Sequence, residues 1–373
     1  MGWEVLKVST PGDLTRFLRV PHQIYQNDPN YIFPLEFERR KFLNPSCNPF
    51  FDHAEADHFL LKDSYGQIAG RISAVLDHAS NEYHNEKVGF FGLFECINNY
   101  EAAKALLDNV KNWCKVRKLD SLRGPMNLSS NHECGLLIEG FDSPPALGIT
   151  YNPEYYAALL EQWGFTKAKD LLNLGLIPIK VPDYMVRAEE KLMKRGRFQI
   201  RKIKPDQFNK ELDIIWDIYN DAWSKNWGFV PMTRKEFWFA ASEMKAILIP
   251  ELCFIAEING EPAGFSLSLP DFNQTLKKIK GKLFPFGFRH LLFGRKKADA
   301  IRTLTLGVKK KFRRLGIDLV FYRRTYQWGV DNKINLCDQS WLLEDNPAIV
   351  EPIKRLGGQQ YKLHRIYERN LQS

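Results

Sequence analysis

Apolar positions along the chain switch repeatedly between helical spacing and two-residue alternation, and the switches fall in the same order twice. Residues 11–26, 205–225 and 233–247 carry apolar side chains at i, i+3 and i+4, which predicts amphipathic helices. Short strand-like runs at 3–9 and 198–203 precede the first two. Two further runs flank a glycine-containing turn in each half, 58–62 with 67–75 and 253–258 with 262–269, and read as hairpins. A fourth strand follows at 87–94 and 301–308, then a helix ending near a tryptophan at 100–116 and 315–330, then a fifth strand at 121–124 and 335–340. Asn152-Pro153 and Asn346-Pro347 each open another helix, since asparagine suits an N-cap and proline the first helical position. Gly164 and Gly357 close those helices in the left-handed conformation glycine tolerates. Strands at 166–174 and 360–369 complete each set, and a helix at 184–195 bridges the halves.

The repetition has a fixed offset. Pro11 and Pro205, Ile24-Tyr25 and Ile218-Tyr219, Gly66 and Gly260, Gly70 and Gly264, Asp77 and Asp271, and Asn152 and Asn346 are all separated by 194 positions. Between Asp77 and Asn152 the offset becomes 215, pairing Trp113 with Trp328. Insertions after Asp271 and between Pro125 and Asn152 account for the change. The expected division is a first domain over 1–181, a bridging helix over 182–196 and a second domain over 197–373, each with a mixed α/β sheet and helices on both faces.

The 373 residues are 44% apolar and 26% charged, the profile of a globular chain long enough for two cores. The six cysteines are scattered without a C-x-x-C pair and read as reduced thiols, and no metal-ligand spacing occurs. Neither a leader nor an apolar run long enough to span a bilayer is legible, so a cytoplasmic location is expected. The net charge of +9 favours an anionic partner: cofactor phosphates, nucleic acid or a lipid surface.

The most informative segment joins the fourth strand of the second half to its helix: Val308-Lys-Lys-Lys-Phe-Arg313-Arg314-Leu315-Gly316-Ile317-Asp318. A helix N-terminus offers unpaired N–H groups to a pyrophosphate, and glycine lets the backbone come close. The segment resembles the phosphate-binding loop of the GNAT acyl-coenzyme A N-acyltransferases, matching at Arg313 and Gly316 and departing at Asp318. The resemblance implies two tandem GNAT-like domains, an α/β fold, and acyl-coenzyme A as co-substrate for attack by an amine in a ternary complex. It implies cofactor contacts from Leu306, Gly307, Val308, Arg313, Arg314, Leu315, Gly316, Ile317, Asp318 and Asn346. Main-chain donors at a bulge, expected at Gly307, would polarise the thioester. The first half has Asn98 and Glu101 opposite Arg313 and Gly316, so it lacks the cradle. Ile353 stands where the family often has an acid tyrosine.

Asp338, Ser340 and Glu344, on or after the fifth strand, are the candidate catalytic groups; each also suits a capping or solvated role. In the first half, the polar stretch 124–135 offers Asn127 and Glu133 as acceptor contacts and His132 as a further group. The insertion 272–300 mixes Lys277, Lys278, Lys280, Lys282, Arg289, Arg295, Lys296 and Lys297 with Phe272, Phe284, Phe286, Phe288 and Phe293. Such a mixture can hold single-stranded nucleic acid or an anionic lipid surface, or wall a hydrophobic pocket. Acyl transfer is the favoured reading; a non-catalytic binding protein and a basic nucleic-acid or lipid-binding module are the alternatives.

Overall fold

The computed structural model describes residues 2–279, 281 and 298–372. The chain divides into two compact units. One is built from Met1–Leu172 and Tyr361–Ser373 with a short piece beginning at Leu276; the other holds Asn173–Thr275 and the later chain up to Gln360.

In the first unit β1 (Glu4–Lys7), β2 (Ala54–Lys62), β3 (Ile68–Asp77) and β4 (Val88–Cys96) form an antiparallel run, and β5 (Ser121–Gly124) joins β4 in parallel. Helix α1 (Pro11–Ile24) starts on a reciprocal cap in which Thr10 and Asp13 satisfy each other's backbone N–H. Two short helices, α2 (Glu36–Phe42) and α3 (His78–His84), are additions that the apolar spacing does not announce. Helix α4 (Tyr100–Val116) buries Ala102, Ala103, Leu106, Leu107 and Val110 against the sheet, and α5 (Tyr155–Gln162) adds Tyr156, Leu159 and Leu160. β6 (Leu136–Glu139), which is new, and β7 (Thr166–Leu176), whose last four residues belong to the second unit, follow the same order as the expected strands.

The second unit repeats the pattern. After α6 (Asp183–Lys194) come β8 (Gln199–Lys202), α7 (Phe208–Trp223), α8 (Arg234–Met244), β9 (Cys253–Ile258) and β10 (Glu261–Pro270). Then follow α9 (Asn273–Ile279), β11 (Ala300–Val308), α10 (Ile317–Asp331), β12 (Leu336–Leu343) and α11 (Pro347–Arg355). β8, β9, β10 and β11 are antiparallel neighbours, and β12 joins β11 in parallel, as β5 joins β4. Phe198, Phe254, Ala256, Val320 and Phe321 fill one face of this sheet, Ile215, Ile218, Ile255 and Phe265 the other. Residues 280 and 282–297, which include most of the basic and aromatic positions expected to act in the insertion, lie outside the described residues.

One expectation is corrected. The final strand β13 (Gln359–Asn370) does not complete the second half's sheet: Tyr367, Glu368, Arg369 and Asn370 pair antiparallel with Gly124, Arg123, Leu122 and Ser121 of the first unit. The second unit is therefore not an unbroken 197–373. Side-chain chemistry fixes the strand there. Lys362, fully buried, donates its ammonium to the carbonyls of Gly140 and Ser143. Arg365 grips Asp170 bidentately at 2.7 and 3.0 Å, and the Tyr367 hydroxyl donates to Glu161 at 2.9 Å. A buried ammonium is costly without partners, so this pairing strongly favours the observed strand over an alternative edge.

Candidate functional site

β11 and β12 pair only over Ala300–Leu336, Ile301–Cys337, Arg302–Asp338 and Thr303–Gln339, and then part. At that point β11 also slips against β10: Leu267 faces Thr305 while Ser268 faces Thr303, leaving Leu304 as an extra residue. The bulge thus sits at Leu304 and not at the expected Gly307, which keeps regular register opposite Phe265. Gly307 has another cause: a Cβ there would overlap the indole of Trp223 on α7.

Where the strands part lies a small cavity of ≈ 20 Å³, room for about one water, lined by Ser266, Thr303, Leu306, Thr325, Gln339 and Ile353 among others. Thr303 Oγ1 accepts from Gln339 Nε2 at 2.9 Å and bonds Ser268 Oγ at 3.0 Å. Among the described residues, the hydroxyls of Ser266 and Thr325, both buried, and of nearby Thr305 have no partner. Each such group costs about 1–3 kcal/mol, and a polar ligand atom would recover it. Ile353, at the position of the family's tyrosine, is buried against this cavity and supplies no acid.

Beyond the strand ends, the basic loop separates into two sets. Lys309 pairs with Asp217 at 2.5 Å and Lys311 with Glu261, while the Lys310 N–H donates to Asp221 at 2.7 Å. Arg313 donates to the carbonyls of Ala222 (2.7 Å) and Val308 (3.3 Å), so it braces the loop. Arg314 and Gly316 both take positive φ, +65° and +85°, and α10 begins at Gly316 without a side-chain cap. A pocket of ≈ 200 Å³ opens there, lined by Arg314, Leu315 and Gly316 and by Leu192, Arg195, Arg197 and Phe198. Three exposed guanidinium side chains and an uncapped helix N-terminus make this an anion-accepting surface. Arg195 and Arg197 were not identified from the sequence; the signal was the basic run at the end of the bridging helix. Asp318 is exposed in the first turn and does not line the pocket. Gly316 is also fixed by packing, since a Cβ would stand 2.7 Å from Leu192.

The candidate catalytic groups fall differently. Asp338 and Ser340 are brought together on β12, both buried. Ser340 Oγ donates to Asp338, Arg302 Nε donates to Ser340 Oγ at 3.2 Å, and Arg302 stands 3.8 Å from Asp338. This cluster ties β11 to β12 through a buried ion pair and a shared hydroxyl. Burial, and after it the Asp338 charge, push the adjacent Cys337 thiol up to about 12. Glu344 is exposed in the turn that follows β12. Asn346 caps α11 with its carbonyl, accepting from Ile349 and Val350 at 3.2 Å, while its side chain makes no cap bond.

In the first unit the equivalent place is closed. β4 and β5 part after Phe90–Arg123, and β4 bulges at Leu93, whose φ is +48°. There Met126 N–H donates to Phe91 O at 2.7 Å, and Asn127 Oδ1 accepts from Leu93 N–H at 2.8 Å. A Cβ on Gly92 would overlap the Met126 carbonyl oxygen. The structure brings Asn127 and Glu133 together, Asn127 Nδ2 donating to Glu133 at 3.1 Å, with Arg39 as an ion partner of Glu133. Burial would raise the Glu133 carboxyl, but Arg39 outweighs it and holds the group below the usual carboxylate range. His132 is tied to Ser129 at 2.9 Å and packs edge-on against Phe42 and Phe50. The N-terminus of α4 is capped by Asn99, which accepts from Ala102 N–H at 3.0 Å, and carries Glu101 in its first turn. A buried carboxyl that sequence reasoning missed, Glu95, receives hydroxyl bonds from Tyr25 and Tyr156, both 2.8 Å. Burial raises its pKa despite Arg71 nearby.

Among the described residues no cluster of metal-ligating side chains occurs, and no helix is long and apolar enough to cross a membrane. No family model matches the sequence. The chain is 34% identical over 376 residues to the bacterial ceramide synthase of Caulobacter vibrioides, covering 98% of this chain and 97% of that protein. It is 34% identical over 368 residues to YghO of Escherichia coli K12, covering 96% and 93%. Among solved structures it resembles a tandem GNAT protein from the clavulanic acid biosynthesis pathway, with a TM-score of 0.59 and 10% identity over 99% of each chain. The parted parallel strands, the bulge and the repeated element order are those of that fold, and the chain belongs to the family of the bacterial ceramide synthase and YghO, with the architecture of a tandem GNAT protein.

Proposed function

We propose that this protein transfers the acyl group of an acyl-coenzyme A to a primary amine, with the coenzyme held by the second unit and a long-chain amino alcohol as the acceptor. The carrying observation is the continuity of chemistry along β11 in that unit. Arginines and an uncapped helix at Gly316 suit the phosphates, and unpartnered hydroxyls at the Leu304 bulge suit the amides of the pantetheine arm. The acceptor class comes from the relative named a ceramide synthase, since a ceramide is the amide of a fatty acid with a long-chain amino alcohol.

Main-chain N–H groups freed where β11 leaves β12 would donate to the thioester carbonyl as it gains negative charge, an effect of about 3 kcal/mol per well-placed donor. The neutral amine attacks the carbonyl carbon, the C–S bond breaks, and the amine proton passes to solvent or to the departing thiolate. A thiol of pKa about 8.5 leaves without a dedicated acid, consistent with Ile353 at that position. The test is thiol release from acyl-coenzyme A thioesters of graded chain length, with and without a long-chain amino alcohol, alongside mass spectrometry of the amide. Release that depends on the amine and yields one amide per thiol is expected. Amine-independent hydrolysis, or no binding of any thioester, would overturn the reading.

A further inference from the structure

The segment from Ile177 to Arg197 lies along α10 from end to end. Pro178 stands beside Gly329 near the C-terminus of α10, Glu189 pairs with Arg323 (3.1 Å) and Arg324 (2.9 Å) at its middle, and Leu192 stands beside Gly316 at its start. Val181 and Met185 anchor the inner side in the core. The outer side is left to solvent and is unusual in kind. Ile177, Ile179 and Tyr184 are 62%, 80% and 51% exposed, three large apolar side chains within one short stretch. Scattered exposed apolar residues need no explanation, but this group is followed on the helix by Arg187, Lys191 and Lys194, all exposed. Positions 184, 187, 191 and 194 share one face at three- and four-residue spacing.

That face keeps a net positive charge. Lys180 pairs with Asp183 at 3.4 Å, and Glu190 is the other exposed acid of the helix. Arg187, Lys191 and Lys194 form no ion pair among the described residues. An apolar tip that projects into solvent, continued by a row of cations, matches the boundary of an anionic bilayer, where side chains like isoleucine enter the acyl region and lysines meet headgroup phosphates. Two of the three apolar groups are isoleucines, which give no platform for stacking bases, and a single tyrosine offers at most one, which argues against single-stranded nucleic acid as the occupant. The whole chain carries +9, in the same sense.

We propose that the outer face of residues 177–194 is a docking surface for an anionic lipid bilayer, on which the protein rests reversibly. Docking is separate from acyl transfer and is measured without coenzyme or amine.

The experiment is flotation of the full chain with vesicles of phosphatidylcholine alone, or with roughly a third phosphatidylglycerol. Binding to the anionic vesicles is expected to exceed binding to the neutral ones by at least about tenfold and to fall steeply between about 50 and 500 mM salt. The variant Arg187→Gln/Lys191→Gln/Lys194→Gln should lose about fivefold per charge, roughly a hundredfold in all. Ile177→Ser/Ile179→Ser should lose about tenfold while keeping the salt dependence. Tyr65→Ser, 81% exposed in the first unit, should change nothing. Circular dichroism and the unfolding midpoint of each variant show that it is folded. Equal binding to both vesicle types, no binding to either, or undiminished binding by the charge variant overturns the proposal. So does light scattering that finds a dimer dissociated by the isoleucine substitutions, which would make this face a self-association surface.

Discussion

Two copies of one design meet the same physical problem and solve it in opposite ways. In each unit a parallel strand pair parts beside a bulge, and the parting leaves main-chain groups without neighbours. The first unit answers from its own sequence: Met126 pairs with Phe91, Asn127 accepts from the Leu93 amide, and Asn99 caps the following helix. The second has no such loop. It leaves Ser266, Thr305 and Thr325 without partners among the described residues and begins its helix on an uncapped glycine beside Arg314. A buried group satisfied internally stabilises the fold; one left over is an affinity waiting for a ligand. Under the proposed function, this difference gives stability to one copy and binding to the other.

The strongest way to break this comparison is charge reversal at the second copy's helix start. Arg314→Glu/Arg197→Glu should weaken acyl-coenzyme A binding by at least about a hundredfold, the worth of two charge-assisted hydrogen bonds, with calorimetry as the readout. Glu101→Lys at the matching helix of the first unit should leave affinity and a stoichiometry of one unchanged. Two equivalents bound per chain would end the argument. Next in size is Asn127→Ala, which strips the partner from the buried Leu93 amide and from Glu133. A loss of about 1–3 kcal/mol in chemical unfolding is expected, without any gain of coenzyme binding.

A smaller effect separates the copies by pH. His58 of β2 bonds Ser73 at 2.7 Å, and its counterpart 194 positions on is buried Leu252. Burial lowers the His58 pKa from 6.5 to about 4. Folding therefore favours the neutral ring: its contribution is complete above pH 6.5 and is lost as the pH falls towards 4. His58→Gln should flatten the unfolding midpoint across that window, and an unchanged slope would remove His58 as the cause. The smallest effect sharpens the assignment of the hydroxyls. Ser266→Ala/Thr325→Val should leave the unliganded chain as stable or slightly more so, yet lower coenzyme affinity about threefold to tenfold. Loss of stability with unchanged affinity would make them structural.

Much of the architecture was legible because periodicity and caps are local. Helix α4 and strand β5 run over the very residues that apolar spacing marks, and Asn346-Pro347 opens α11 where expected, whereas α5 starts only at Tyr155 and Asn152 bonds the Leu137 backbone instead. What was hidden depends on partners distant in sequence. Lys362 in a strand looks like an exposed edge until Gly140 and Ser143 supply its acceptors. The same holds at the site. Gly316 was visible as a glycine at a helix start, but the roles of Lys309 and Lys311 turn on Asp217 and Glu261, acids contributed by other elements. Asp338 and Ser340 had the right chemistry for catalysis; that Arg302 stands beside them on the paired strand, bonded to Ser340, depends on a residue 36 positions away and could not be read from their own segment.

The last strand sets a schedule for biosynthesis. Because Tyr361–Ser373 belongs to the first unit, that unit cannot finish while the ribosome is still making the other half. At ordinary elongation rates of about 5–20 residues per second, the half-built sheet waits on the order of 10–40 s with the edge of β5 uncovered. The nascent chain is then open to chaperones or to misplaced strands, and a fragment ending at the bridging helix would stay in that unfinished condition for good.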